Sequence, residues 1–229
     1  MQIVIPLFDR FAPLDAVGPY QVLVHLPGAT VTFAAHRPGG VSDASGSFTL
    51  QAQASFAGVP HPDVIVVPGG SGEADQPRPG PLQDWLLEAD KTSTWTSSVC
   101  TGSLILARAG LLAGRGATTS WQALGELERL GAKALRERYV FDGKYVTAAG
   151  VSAGIDMALA LAARIAGDDV AMAIQLGIEY DPRPPFNAGS PATAPARIVA
   201  AQRAASRFAG TRGGTGIRAK GATEPRIAD

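Results

Sequence analysis

The sequence predicts an α/β fold, a three-layer sandwich in which helices cover both faces of a mainly parallel sheet. Three observations support this prediction. Strand-like and helix-like segments alternate along the chain of 229 residues. Two short runs, QIVIPLF (2–8) and DVIVV (63–67), are apolar after their first residue, as strands buried on both faces of a parallel sheet are. The second run leads into a glycine-rich turn, PGGSG.

The other elements of the first half follow in chain order. DAVGPYQVLVHL (15–26) has a helical pattern, because Val17, Tyr20 and Val24 fall near one face. ATVTFAA (29–35) is rich in β-branched residues and predicts a strand. Two further segments complete this half, a half-exposed strand or ribbon at 47–56 and a helix at 81–89 that begins with proline.

The second half continues the alternation. Asp142-Gly143 separates two alternating runs within 138–149, which is the pattern of a β-hairpin. Gly110 is a candidate C-cap, and Asp168 is a candidate N-cap. The predicted strands are 92–99 and 117–120, and the predicted helices are 102–109, 121–131, 150–167, 168–180 and 196–210.

The chain shows no internal repeat and no domain break before about residue 195. We therefore expect one α/β domain over residues 1–210. Residues 211–229, TRGGTGIRAKGATEPRIAD, are rich in glycine and in charged residues, so we expect a disordered tail.

Composition restricts the classes of partner. Lys+Arg and Asp+Glu are both 20, whereas a nucleic-acid-binding protein normally carries a basic excess. One cysteine excludes an internal disulfide and fits a reducing compartment. The N-terminus has no signal-peptide pattern, and no run approaches the ~18 apolar residues of a membrane span. We expect a cytoplasmic protein that binds neither nucleic acid nor membrane.

The single cysteine lies where a strand gives way to a helix, in the sequence Ser98-Val99-Cys100-Thr101-Gly102. Small-x-nucleophile-x-Gly is the spacing of a nucleophile elbow, whose sharp turn tolerates only small neighbours. A lone cysteine in an apolar stretch is more often a small core residue. The spacing alone leaves both readings open. In the elbow, the N-terminus of the helix at 102–109 would stabilise a thiolate.

A nucleophilic cysteine needs a proton acceptor. None of the three histidines, His25, His36 and His61, follows the cysteine in the chain, which argues against Cys-His chemistry. Asp15 follows the first strand by a short loop, and in a parallel sheet that loop lies at the same edge as Cys100. The alternative role for Asp15 is to cap the helix that follows it.

The turn VVPGGSG (66–72) has consecutive glycines after a buried strand, so the amides of Gly70 and Ser71 can point at an anion. A tight turn explains the same residues. The turn is neither a Walker loop nor a dinucleotide fingerprint. No cluster has metal-ligand spacing, so we expect no metal and no cofactor.

Three segments in this order, LDAVGPYQVL, DVIVVPGG and SSVCTGSLILARAGLLAGRGATTSW, resemble the ThiJ/PfpI superfamily, which has the flavodoxin-like fold of class I glutamine amidotransferases. GVSAGIDMALALAARIAG and IQLGIEYDPRPPFNAGSPATAPA resemble the isonitrile hydratase branch of that superfamily. The resemblance extends from the first strand to about residue 200. It departs at Ser120, where that branch often has histidine, and this puts substrate preference in doubt.

The resemblance implies hydration of an isonitrile to an N-substituted formamide, through a thioimidate on Cys100. It implies that Asp15 and Thr101 assist as acid, base and orienting group. Trp121 and Gly150 are candidates to line an apolar substrate pocket, although Trp121 is as readily a core residue. The superfamily also implies a homodimer. The alternatives are glyoxalase-like or hydrolytic chemistry, a cysteine redox sensor, and a ligand-binding domain without turnover.

Overall fold

The computed structural model describes residues 1–209, and its strands and helices alternate along the chain. The strands are β1 (Gln2–Pro6), β2 (Thr30–Ala35), β3 (Gly39–Ser42), β4 (Thr49–Ala52), β5 (Ala54–Ser55), β6 (Val64–Val67), β7 (Trp95–Val99), β8 (Gly116–Ala117), β9 (Lys133–Ala134), β10 (Tyr139–Asp142) and β11 (Tyr145–Ala148). The helices are α1 (Pro13–Leu23), α2 (Pro81–Asp90), α3 (Gly102–Arg108), α4 (Leu124–Arg129), α5 (Ala153–Ala166), α6 (Asp168–Gly177) and α7 (Ala196–Ala204). Two 3-10 helices cover Phe56–Gly58 and Ser71–Asp75.

Seven strands form the central sheet in the order β10-β11-β7-β6-β1-β2-β5. Every neighbouring pair is parallel except β10 and β11. The central strand β1 is buried from Ile3 to Pro6, and β6 is buried over its whole length. Burial on both faces explains their unbroken apolar sequences. The predicted α/β fold with a mainly parallel sheet is confirmed.

The chain reverses its direction across the sheet between β1 and β6. From β1 it runs through α1 to β2 on one side, and from β6 through α2 to β7 on the other. Right-handed crossovers in opposite directions place α1 and α2 on opposite faces. Open α/β sheets bind ligands beside the carboxyl ends of the strands at such a reversal. The loops after β1 and β6 therefore form one end of a natural crevice, and β7 is the next strand along.

The helices α1 and α5 cross at two glycines, and α5 also packs on α6. A Cβ on Gly18 would lie 3.2 Å from Ile155, and a Cβ on Gly154 would lie 3.0 Å from Val99 and 3.2 Å from Pro19. Because the two backbones approach so closely, the start of α5 is fixed against the end of β7. At this crossing, Pro19 of α1 and the start of α5 lie beside Val99 at the end of β7.

Several predicted boundaries shift. The hairpin forms as predicted, and Gly143 takes the positive φ of 61° that its turn needs. Gly110 follows α3 with a φ of 79°, as a C-terminal cap does. The prediction for Asp168 is wrong, because Gly167 caps α6 and Asp168 lies in its first turn. The final helix ends at Ala204 rather than 210.

The strand predicted at 117–120 is also shorter. It ends at Ala117, because the polar groups of the next two residues hydrogen-bond to a side chain of β11 and to the backbone at Cys100. The Thr118 amide donates to Thr147 Oγ1, and the Thr119 hydroxyl donates to the backbone of Cys100. Within residues 1–209, no helix is long and apolar enough to cross a membrane. The tail predicted for 211–229 lies outside the described residues.

We expect Gly154→Val to lower the free energy of unfolding by about 1–3 kcal/mol, because the added methyls would collide with Val99 and Pro19. Gly177→Val is the matched control, since a Cβ on Gly177 at the end of α6 would meet nothing within 4 Å. Urea unfolding of both variants measures the difference. Equal stability of the two variants would contradict the tight crossing of α1 and α5.

Candidate active site

Cys100 forms a sharp turn between β7 and α3. Its φ is 55°, a left-handed value that side chains other than glycine rarely adopt. Gly102 leaves no room for a side chain, because a Cβ there would lie 2.2 Å from the Val67 carbonyl oxygen. Ser98, two residues before the cysteine, is fully buried. This strained strand-to-helix turn has the geometry of the predicted nucleophile elbow.

Hydrogen bonds on both sides hold the elbow in this conformation. The Cys100 amide points to the carbonyl oxygens of Ala148 and Ala149, at 3.1 and 2.8 Å. Its carbonyl oxygen accepts from Ser103 Oγ at 3.1 Å and from Thr119 Oγ1 at 2.8 Å. The backbone of Cys100 is therefore fixed by β11, α3 and the segment after β8.

Asp15 is fully buried in the first turn of α1. Its Oδ2 accepts a 2.9 Å hydrogen bond from the amide of Gly69, across the reversal of the sheet. The alternative role as a helix cap is wrong, because Ala12 occupies the cap position and the carboxyl points away to Gly69. Its Oδ1 is buried without a well-aligned hydrogen bond, and the Cys100 thiol is within reach of the carboxyl.

Thr101 joins the elbow to the glycine turn after β6. Its Oγ1 accepts from the Gly70 amide at 3.1 Å and approaches the Gly70 carbonyl oxygen at 3.4 Å. A Cβ on Gly69 would lie 2.6 Å from the Thr101 nitrogen and 2.9 Å from Asp15 Oδ2. Gly69 is therefore the glycine on which the close approach of Asp15 and Thr101 depends.

Burial dominates the protonation of the pair. It raises the pKa of Asp15 to about 7, against the lowering effects of the hydrogen bonds from Gly69 and Cys100. Burial, and then the charge of Asp15, raise the pKa of the Cys100 thiol to about 12. The Thr101 backbone, the Ser120 hydroxyl and the Arg207 charge act in the opposite direction.

The resting site thus holds a neutral thiol beside a carboxyl group that titrates near neutral pH. The two groups share protons as a coupled pair. The expected stabilisation of a resting thiolate by the helix N-terminus is outweighed by burial and by the neighbouring carboxylate. Such a pair can move a proton from sulfur to oxygen and back during a reaction.

This geometry agrees with the comparisons to known proteins. The DJ-1/PfpI family pattern matches residues 1–164. The chain belongs to the DJ-1/PfpI family.

The relatives of this DJ-1/PfpI chain include an enzyme and solved structures. It is 41% identical over 199 residues to an isonitrile hydratase from Pseudomonas putida, covering 87% of each chain. A ThiJ/PfpI family protein from Pseudomonas syringae superposes with a TM-score of 0.83 at 33% identity, covering 88% of this chain and 84% of the other. Drosophila melanogaster DJ-1beta, at 20% identity, shares the fold with a TM-score of 0.70 over 78% of this chain and 97% of its own. The resemblance to the ThiJ/PfpI superfamily is confirmed.

The histidines of this family member have contacts elsewhere. His25 faces Gln21, His61 faces Thr92, and His36 lines a surface cavity beside Arg10. Within residues 1–209, no group of three or more histidine, cysteine or acidic side chains is arranged to hold a metal ion.

The other candidate residues surround the elbow at greater distance. Gly150 follows Ala149, whose carbonyl oxygen accepts from Cys100, and a Cβ on Gly150 would meet nothing within 4 Å. Ser71 is exposed, and its carbonyl oxygen accepts from Arg207 Nη1 at 3.2 Å. The Gly70 amide already donates to Thr101.

Trp121 is half-buried. It follows Ser120, whose side chain hydrogen-bonds to Cys100. Together with residues from the loop before α7 and from α7 itself, it lines a cavity of about 100 Å³. The guanidinium of Arg203 lies 5.5 Å from the centre of the Trp121 ring. The ring is therefore at the surface between the site and the C-terminal segment.

Sequence reasoning missed three contributors, namely Gly69, Thr119 and Arg207. The double glycine after β6 predicts the correct turn, but the predicted anion-binding amides are those of Gly70 and Ser71. The predicted strand at 117–120 includes Thr119. No pattern in the sequence indicates that Arg207 lies near Cys100, since its partner Glu73 is 134 positions away in the chain.

We expect Asp15→Asn to increase the reactivity of Cys100 toward iodoacetamide above about pH 7, where Asp15 is ionised in the wild type. Removing that negative charge lowers the thiol pKa, so more thiolate is present at each pH. Below about pH 6 the carboxyl is protonated, and the two proteins converge. Rates of alkylation between pH 6 and 10 measure the effect.

Asp9→Asn, in the same loop after β1, is the control for this experiment and leaves the alkylation rate unchanged. Asp15→Asn reacting at the wild-type rate at every pH would show that the Asp15 carboxylate does not act on the thiol.

Proposed function

We propose that this protein is an isonitrile hydratase, which converts R–N≡C and water to the formamide R–NH–CHO. The observation that most directly supports this proposal is the buried pair of a neutral Cys100 thiol and an Asp15 carboxyl with a pKa of about 7. The 41% identity to the Pseudomonas putida isonitrile hydratase over 87% of each chain supports the choice of substrate class.

In the first step, the thiol adds across the terminal carbon of the isonitrile. Asp15 in its carboxylate form takes the proton from Cys100, and the sulfur attacks that carbon. Asp15 then returns the proton to the same carbon. The product is the thioimidate R–N=CH–S–Cys100, which contains every atom of the thiol and the isonitrile. A carboxyl with a pKa near the working pH suits both proton transfers.

In the second step, water adds to the thioimidate carbon while its proton moves through Asp15 to the nitrogen. The tetrahedral adduct R–NH–CH(OH)–S–Cys100 then collapses. The carbon–sulfur bond breaks, the hydroxyl proton returns to the sulfur through Asp15, and R–NH–CHO leaves. The carboxyl ends in its starting state, so the cycle balances without an oxidant or a cofactor. We propose that none is used.

Thr101 is proposed to orient the acid. Its hydroxyl accepts from the Gly70 amide, and Gly69 donates to Asp15, so the glycine turn and Thr101 form one unit beside the carboxyl. The Gly70 amide donates its hydrogen bond to Thr101. We therefore propose that the amide stabilises negative charge in the intermediate through the Thr101 hydroxyl. Ser71 is proposed to border the substrate.

The apolar group of the substrate is proposed to lie between Gly150 and Trp121. Gly150 follows Ala149, whose carbonyl oxygen accepts from the Cys100 amide, and Trp121, the residue after Ser120, lines a cavity together with residues of α7. That cavity has apolar walls from Pro191, Ile198 and Val199. An apolar surface suits an alkyl or aryl isonitrile, which carries no charge.

We further propose that the enzyme acts in the cytoplasm as a homodimer, without nucleic acid or membrane. A free catalytic thiol suits a reducing compartment. Three apolar side chains near the C-terminal end of the fold, Met172, Leu176 and Phe186, are 57%, 79% and 77% exposed. A second copy would remove such surface from water.

The alternatives are less well supported. A redox sensor depends on a thiolate at neutral pH, whereas burial keeps the Cys100 thiol neutral. Glyoxalase-like chemistry and simple ligand binding predict no formamide, so the assay below separates both from hydration.

We expect wild-type protein to form N-cyclohexylformamide from cyclohexyl isocyanide, and Cys100→Ala to form none. Asp15→Asn is expected to lower kcat by about 10²–10⁴-fold, because proton transfers lose their carrier. Chromatography of the product measures turnover, with methylglyoxal as a second substrate. A wild-type protein that produces no formamide from several alkyl and aryl isonitriles would refute the proposed function.

Thr101→Val is expected to lower kcat more than it raises KM, because it removes the acceptor of the Gly70 amide while it keeps the side-chain shape. Thr101→Ser is the control and retains most activity, since it keeps the hydroxyl. Steady-state kinetics on the same isonitrile compares the two. Equal losses in both variants would assign Thr101 a packing role.

A further inference from the structure

The strongest feature outside the proposed reacting pair is a buried acidic side chain held between two arginines beside the elbow. Glu73 lies in the 3-10 helix that follows the glycine turn, and its side chain is fully buried. It forms ion pairs with Arg108 at the end of α3 and with Arg207 from the turn after α7. A buried carboxylate with two guanidinium partners fixes both of them in place.

The cluster carries more positive than negative charge. Arg108 also approaches Glu126 at 4.0 Å, and Glu126 pairs with Arg129. Three arginines therefore face two glutamates, which leaves one positive charge. Arg207 is the member attached to the elbow, because its Nη1 donates to the carbonyl oxygen of Ser71, and the preceding Gly70 donates to Thr101, the residue after Cys100. Burial and the negative charge of Asp15 raise the pKa of the Cys100 thiol, and the positive charge of Arg207 acts in the opposite direction.

Several contacts with the loops of the site hold Arg207 in position. Besides Glu73, its Nη1 donates to the carbonyl oxygen of Ser71 at 3.2 Å. The neighbouring Phe208 is half-buried and packs against the core. Farther back, Gln122 Nε2 donates to the carbonyl oxygen of Gln202 at 3.0 Å. The segment after the final helix is thus attached to the loop after β6 and to the loop that contains Trp121.

We infer that Arg207 is a positioning residue of the active site, held by Glu73 and Ser71, whose positive charge stabilises negative charge on the Cys100 sulfur as its proton leaves. Asp15 must remove that proton in a site where burial opposes the thiolate. A fixed cation near the sulfur lowers the free energy of the state in which Asp15 is protonated and neutral and the sulfur carries the negative charge. The C-terminal segment thereby contributes to the active site although its helix α7 has no buried residue.

This inference deepens the proposed function, because it rests on Cys100 being the reactive thiol. Its charge dependence is nevertheless measurable without any isonitrile, through alkylation of the single cysteine. The failure of the inference and the failure of the proposed hydratase activity are therefore distinguishable.

We expect Arg207→Gln to slow alkylation of Cys100 by iodoacetamide about three- to tenfold between pH 8 and 9, because less thiolate forms. The pH profile of alkylation moves to higher pH. Arg207→Lys, which keeps the charge, restores most of the rate. Arg197→Gln, on α7 and outside the cluster, is the matched control and behaves as wild type. Formamide production from cyclohexyl isocyanide is expected to fall in Arg207→Gln mainly through kcat.

Two results would overturn the inference. One is an Arg207→Gln protein with the wild-type pH profile. The other is equal impairment of the Gln and Lys variants, which would assign Arg207 a structural role. Thermal unfolding of each variant identifies loss of the fold. If wild-type protein makes no formamide while the alkylation profiles differ as expected, the charge effect stands and the hydratase proposal fails.

Discussion

The site depends on one buried contact, between the Asp15 carboxyl and the Cys100 thiol. Asp15 is fully buried, and one of its oxygens accepts from the Gly69 amide while the Cys100 thiol is close to the carboxyl. Burial raises the pKa of both groups, and the charge of Asp15 raises that of the Cys100 thiol further. The Asp15 pKa of about 7 lies above the ~3.9 of an unfolded aspartate. The protonated form therefore favours folding below about pH 4, and this contribution is lost as the pH rises through about 7.

The rest of the fold brings this pair together and keeps it rigid. The chain reverses between β1 and β6, so the loops after these strands and the elbow after β7 meet at one edge of the sheet. Only glycine fits at 69 and 102, where the backbones of the loop after β6 and of the elbow pass within contact of each other. The left-handed conformation of Cys100 is unfavourable for an isolated residue. It persists because hydrogen bonds from several elements fix its backbone, and the sulfur is thereby directed toward Asp15.

The sequence was informative where function depends on local steric rules. The spacing of Ser98, Cys100 and Gly102 predicted the elbow, because a sharp strand-to-helix turn excludes larger neighbours. The apolar runs of β1 and β6 predicted a parallel sheet, and that in turn placed Asp15 at the same edge as the cysteine. Element ends were less predictable. The strand expected at 117–120 ended at Ala117, because Thr118 and Thr119 form side-chain and backbone bonds that no periodicity reveals.

The pKa values of Cys100 and Asp15 could not be predicted from the sequence, for a physical reason. A helix N-terminus beside a cysteine suggests a stabilised thiolate, and that local argument is correct in sign. The outcome depends on how completely the surrounding chain excludes water and on which distant charges it brings close. Burial by residues throughout the fold outweighs the local effect, and a cation that opposes burial, Arg207, is held by the distant Glu73. A thiol with a pKa of about 12 is neutral at neutral pH, so it ionises there only where a neighbouring group accepts its proton. The same burial raises the pKa of the adjacent Asp15 carboxyl to about 7, which leaves a group able to accept a proton beside the sulfur.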